Sequence, residues 1–129
     1  MELSNFSNGI ESHNRQIAFG IEANGLHVVH ETSKQGGYSY TVGLSALSCP
    51  ELIIFGCEPD KAEEIFVTMH QGFLKGLIKP ESDKVIANLL DKPMRLIEFT
   101  EMEKRQHFYA TRTYLDTWQF KALKMTYDS

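Results

Sequence analysis

The run "PELIIFG", residues 50–56, constrains the fold of this chain more than any other segment. Four consecutive apolar side chains at strand length, with no polar alternation, fit a strand buried on both faces. That strand belongs in the middle of a sheet, and the neighbouring segments must supply its partners. Upstream, "LHVVHET" (26–32) reads as a strand, "SKQGG" as a turn and "YSYTVGL" (38–44) as the returning strand. A five-residue connection containing glycine between two such runs predicts a hairpin. "SALSCP" then reads as the loop into the apolar run.

Helical periodicity brackets these strands. Ile10, Ile17 and Ile21 fall on one face, with Ala18 beside them, of a helix running from Ile10 or Glu11 to Asn24, where Asn24-Gly25 is a stop. "EPDKAEEIFVTMHQGFLKG" is the clearest helix. Asp60 with Glu63 resembles a capping box, Ala62, Ile65, Phe66, Met69, Phe73 and Leu77 form the core stripe, and Gly76 ends it. A short helix is expected over Asp83–Leu90 and a strand at "MRLIEF". Thr100 with Glu103 caps a third helix reaching about Thr113, and "FKALKMTY" is a closing alternating strand. These elements predict an α+β fold. The expectation is a single compact domain over 1–129, with a mixed, mostly antiparallel sheet of about five strands, an N-terminal hairpin and about three helices. Residues 1–9, rich in Ser and Asn, read as flexible.

Charge narrows the class of partner. With 17 acidic against 13 basic residues and a net charge of -4, the chain lacks the basic excess of a nonspecific nucleic-acid binder. An acidic face for a basic protein partner is compatible with that balance. The polar start "MELSNFSNGIESHNR" has no apolar core of a signal peptide, and the apolar runs fall far short of the ~20 residues that span a bilayer. A cytoplasmic chain without membrane association, with Cys49 and Cys57 reduced, is therefore expected.

No residue pattern specifies a catalytic set, a metal site or a cofactor fingerprint. His27 and His30 stand as H-V-V-H, but strand alternation sends them to opposite faces, so they cannot share one ion. Either one can line a cleft beside the hairpin. His13, His70 and His107 fall on helices without evident partners, and solvated positions are expected for them. Cys57 precedes a helix whose amide dipoles can lower a thiol pKa, although no cysteine-enzyme signature surrounds it. In "KQGGYSYTVG", Gly36 and Gly37 supply the positive φ values of a tight turn. Their consecutive amides also form a candidate anion nest, to which Lys34 adds a charge. Tyr38, Tyr40, Val42 and Leu44 share one strand face as core or aromatic platform. Ser39, Thr41 and Gly43 share the other, where hydroxyls and a close backbone approach offer room for a ligand.

"IEANGLHVVHETSKQGGYSYTVGLSALSCPELIIFG", residues 21–56, resembles the signature of the domain-of-unknown-function family 4262. That family shows a helix ending in glycine, a strand like "G-x-H-V-V-H", a glycine-containing turn, an aromatic "YTVGL" strand and "PELIVFG". The likeness weakens beyond the second helix. It implies a compact bacterial or phage-type cytosolic domain and assigns no activity or functional residue. The leading functional expectation is a non-catalytic module that binds a small polar or anionic ligand beside the hairpin 26–44. His27, His30, Lys34, Gly36, Gly37, Tyr38, Tyr40, Thr41 and Gly43 are its candidate binding residues. The alternatives are an acidic inhibitor or immunity-like protein with a basic protein partner, and a hydrolase or transferase using a histidine or Cys57.

Overall fold

The computed structural model describes residues 14–33, 36–87 and 89–127. Residues 1–13, which include Ile10 and His13 of the expected first helix, and Lys34 lie outside the described residues. The first helix, α1, covers 14–24 and stops as Gly25 takes a φ of 83° and its N–H returns to the Ile21 carbonyl at 2.7 Å. The hairpin follows as β1 (His27–Ser33) and β2 (Gly36–Val42), paired antiparallel from His27–Val42 through to Ser33–Gly36. Pairing that far leaves only residues 34 and 35 between the strands, where five connecting residues were expected. Of the two glycines, Gly36, the first residue after the turn, takes a positive φ (117°) and Gly37 does not.

A 3-10 turn, Leu44–Leu47, leads into β3 (Glu51–Phe55). Helix α2 (Pro59–Leu74) starts one residue before the expected cap. Pro59 occupies its first turn and Glu58 the cap position, so Asp60 sits in the first turn, where it complements the helix dipole. The strands β4 (Val85–Ile86) and β5 (Met94–Glu98), the helices α3 (Glu101–His107) and α4 (Tyr109–Leu115), and β6 (Ala122–Tyr127) follow among the described residues. The six strands lie in the order β1-β2-β3-β6-β5-β4. The pair β3–β6 is parallel and the other neighbours are antiparallel.

The sixth strand and the fourth helix each have a local cause. Where a helix was expected at 83–90, Asp83 takes the left-handed conformation (φ 64°), which Asp tolerates better than most residues. Its N–H bonds to the Leu96 carbonyl at 2.7 Å, so Val85 pairs with Arg95 as a strand. The expected third helix is interrupted at Phe108 (φ -94°, ψ 47°). That ring is fully buried, 5.1 Å from the ring of Tyr40 and 5.7 Å from that of Phe120. The capping box at its start is present, with Thr100 and Glu103 bonding to each other's backbone N–H.

β3 lies in the middle of the sheet and is covered on both faces. Leu52 and Ile54 meet Ala62, Ile65, Phe66 and Met69 of α2 on one side. Ile53 joins Ile17 of α1, Tyr40, Val42, Phe99 and Phe108 on the other. Each such side chain contributes about 1.5–3 kcal/mol of burial, which accounts for the unbroken apolar run. Phe55 and Leu77 depart from the expected burial: Phe55 is exposed at the end of β3, and Leu77 lies beyond the end of α2.

His70 of α2 is not solvated as expected. It is only 4% exposed, and its ring fills the space above Gly25, where an added Cβ would lie 2.3 Å from Cε1. Burial lowers its pKa, and Nδ1 has no hydrogen-bond partner among the described residues. The unfolded chain thus binds a proton more readily than the fold, so stability is complete above the ordinary histidine pKa and lost as pH falls through the depressed value. We expect urea-unfolding stability to decline from pH 7 to pH 5 by at most about 1.4 kcal/mol per pH unit from this group. His70→Leu should flatten that slope, and an unchanged slope would remove His70 as its source.

Candidate functional site

The most ordered polar cluster lies where β2 turns into β3. Glu51, at the start of β3 and fully buried, receives hydrogen bonds on both carboxylate oxygens. Oε1 accepts from the Thr41 hydroxyl at 2.7 Å and the Leu44 N–H at 3.1 Å. Oε2 accepts from the Gly43 N–H at 3.2 Å, the Ser45 N–H at 3.1 Å and the Ser45 hydroxyl at 2.7 Å. Thr41 Oγ1 in turn accepts the Leu52 N–H at 2.9 Å. Three successive amides aimed at one anion are possible because Gly43 adopts a φ of 121°, which non-glycine residues rarely reach. A Cβ there would also press on Ile21 at 3.1 Å. Burial pushes the Glu51 carboxyl above its usual range, and the bonds from Ser45, Thr41 and Gly43 draw it back.

Alongside this cluster, the helix break at Phe108 organises the surface. The Ala110 N–H, at the start of α4, donates to the Tyr40 hydroxyl at 3.1 Å, and the Thr111 hydroxyl donates to the Thr41 carbonyl at 2.8 Å. Burial raises the Tyr40 pKa, so this phenol stays neutral. Just before the break, the half-buried His107 stands among three aromatic rings. Their centroids lie 5.1 Å (Tyr38), 5.3 Å (Phe55) and 5.5 Å (Phe99) from its own, each steeply inclined to it. Its Nδ1 lies 2.8 Å from the Glu103 carbonyl, which can only accept. The proton therefore sits on Nδ1, and Nε2 carries the lone pair when the ring is neutral. Lys104, on the same helix, has an almost fully buried side chain. Its ammonium bonds to the Trp118 and Phe120 carbonyls at 2.6 and 2.7 Å and to Glu101 at 2.7 Å, tying α3 to the segment entering β6.

Residues 20–129 match the family model described as a domain of unknown function, DUF4262. The chain belongs to the DUF4262 family. The match covers the whole sheet, the Glu51 cluster and the aromatic collar of His107, and so extends well past the segment that carries the sequence resemblance. No curated protein and no solved structure matches the chain.

Within this DUF4262 domain the nine candidate residues separate into distinct places. His27 and His30 lie on opposite faces of β1, as alternation requires. His27 packs on Gly20 of α1, and His30 Nδ1 lies 2.7 Å from the Ser39 hydroxyl on the neighbouring strand. Gly36 and Gly37 sit at the turn end of the hairpin, and Tyr38 joins the collar. Tyr40, Thr41 and Gly43 are buried, and the donors of Thr41 and Gly43 already hold Glu51. Lys34 lies outside the described residues. Among the described residues no three His, Cys, Asp or Glu side chains converge as a metal site, and no helix is long and apolar enough to cross a membrane. Cys57 does lie just before α2, but burial raises its thiol pKa, with Lys61 opposing and Glu58 adding to the rise.

Sequence reasoning missed Glu51, Lys104 and His107. Glu51 leaves a trace, a lone acid heading an otherwise apolar strand. Lys104 and His107 leave none, because both sit on a helix whose pattern looks ordinary.

Two isosteric substitutions separate these roles. Glu51→Gln places an amide NH2 against N–H donors, and urea unfolding should show a loss of about 2–4 kcal/mol. Tyr40→Phe orphans only the Ala110 N–H and should cost about 1–2 kcal/mol. A Glu51→Gln protein as stable as wild type would show that the cluster does not hold the fold.

Proposed function

We propose that this domain is a non-catalytic module that binds a small polar ligand at the collar of His107, beside the hairpin 26–44. One observation carries the reading: a histidine with its Nδ1 proton committed to a backbone carbonyl is set among Tyr38, Phe55 and Phe99 at the surface. Ligand sites are mostly apolar walls with a few placed polar groups, and this arrangement has that composition. Phe55 offers an exposed ring on which a planar group can stack. Nε2 accepts a hydrogen bond when neutral, and it donates to an anion when protonated. The raised thiol pKa values of Cys49 and Cys57 give no support to a thiolate nucleophile.

A thermal-shift screen of nucleotides and metabolites, followed by NMR of the aromatic ring protons, tests the proposal. A ligand present at 100 times its Kd should add about 2.7 kcal/mol of stability. It should also move the His107 and Phe55 ring signals, and His107→Ala or Phe55→Ala should remove both effects. Ligands that stabilise the protein without moving those rings, or a screen without any stabilising compound, would count against this site.

A further inference from the structure

A cavity of about 160 Å³ lies on the α2 side of the sheet, between α2, the segment 89–92 and the ends of β5 and β6. Its floor is apolar: Ile65 and Met94 are almost completely buried and Leu90 partly so. Its rim is charged. Lys61 of α2 pairs with Asp91 across the mouth, and Lys92 lies 5.8 Å over the ring of Tyr127. Glu64 approaches Lys61 at 3.9 Å from the next turn of the same helix.

We propose that this cavity binds a small monocarboxylate with a branched or cyclic apolar body, and that Asp91 occupies the carboxylate position until the ligand arrives. The size fits: an apolar cavity of about 150 Å³ accepts a benzene-sized molecule, which limits the body to roughly six carbons. The polarity of the head follows from which partner can move. Lys61 is anchored in a regular helix turn, whereas Asp91 sits on an irregular segment with its side chain 72% exposed. An exposed pair of this kind holds weakly, so an incoming carboxylate can displace Asp91 from Lys61. Lys92 stands next to Asp91 in the chain and supplies a second positive charge at the same rim. Burial of the apolar body against Ile65, Leu90 and Met94 is what a free carboxylate ion lacks, and it selects the class of ligand.

The test uses the intact chain with 4-methylpentanoate and benzoate as probes, and 4-methylpentanol and 4-methylpentylamine as matched controls. The Met94 methyl NMR signal reports occupancy of the floor. Both acids should move it saturably while the alcohol and amine bind more weakly. Asp91→Asn, which removes the resident carboxylate, should tighten the acids a few-fold. Lys61→Met should weaken them roughly ten-fold. Should Lys61→Met fail to fold, the acid-against-alcohol comparison on the wild-type chain decides. A Met94 methyl that neither acid moves overturns the proposal, as does equal binding of acid and alcohol or preferential binding of the amine. The His107 ring lies on the other face of the sheet, so its signal separates this site from the collar.

Discussion

The carboxylate of Glu51 is the interaction on which the sheet's geometry depends. A buried anion is costly unless its oxygens are fully hydrogen-bonded, and here the donors come from a single stretch, Thr41 to Ser45. Satisfying them draws the end of β2 around the start of β3 and sets Leu44 into the core. With that corner held, Thr41 presents its carbonyl to Thr111 on one side and its hydroxyl oxygen to the Leu52 N–H on the other. The amides of residues 43–45 form an anion nest apart from the paired glycines, and it is filled by the protein's own side chain.

The second organising feature is the break at Phe108. An uninterrupted helix from Glu101 to Leu115 would have no free N–H at Ala110 to meet the Tyr40 hydroxyl. The break releases that donor, sinks the Phe108 ring between Tyr40 and Phe120, and leaves His107 at the last turn of α3. The buried Lys104 holds the same helix against the chain entering β6, with its ammonium protons taken by two carbonyls and Glu101. Burial in the core and exposure at the collar thus come from one interruption. The cavity on the other face is independent of it and closed by a surface ion pair, the kind of contact that rearranges at low cost.

Much of the fold was legible in the residues. The apolar run Leu52–Phe55 announced a strand in the middle of the sheet because only burial on both faces tolerates such a run. The hairpin, the α2 stripe and the Thr100–Glu103 cap were readable because each depends on spacings of two to four residues. The misreadings fell where contacts distant in the chain outweighed local preference: Asp83 bonding to Leu96, Phe108 seeking the core, His70 covering Gly25. Of the candidate site residues, Tyr38 stands in the collar, whereas Thr41 and Gly43 turned out to hold Glu51.

By itself, then, the sequence determined the class of the fold, its main elements and which faces are apolar, since those follow from periodicity and local capping. Tertiary structure alone decided where charge and aromatic rings converge. His107 meets Tyr38 and Phe55, and Lys61 meets Asp91, across separations that no local pattern encodes. The physical reason is that a buried or half-buried polar group is defined by its partners, and partners distant in the chain are chosen by the packing of the whole sheet.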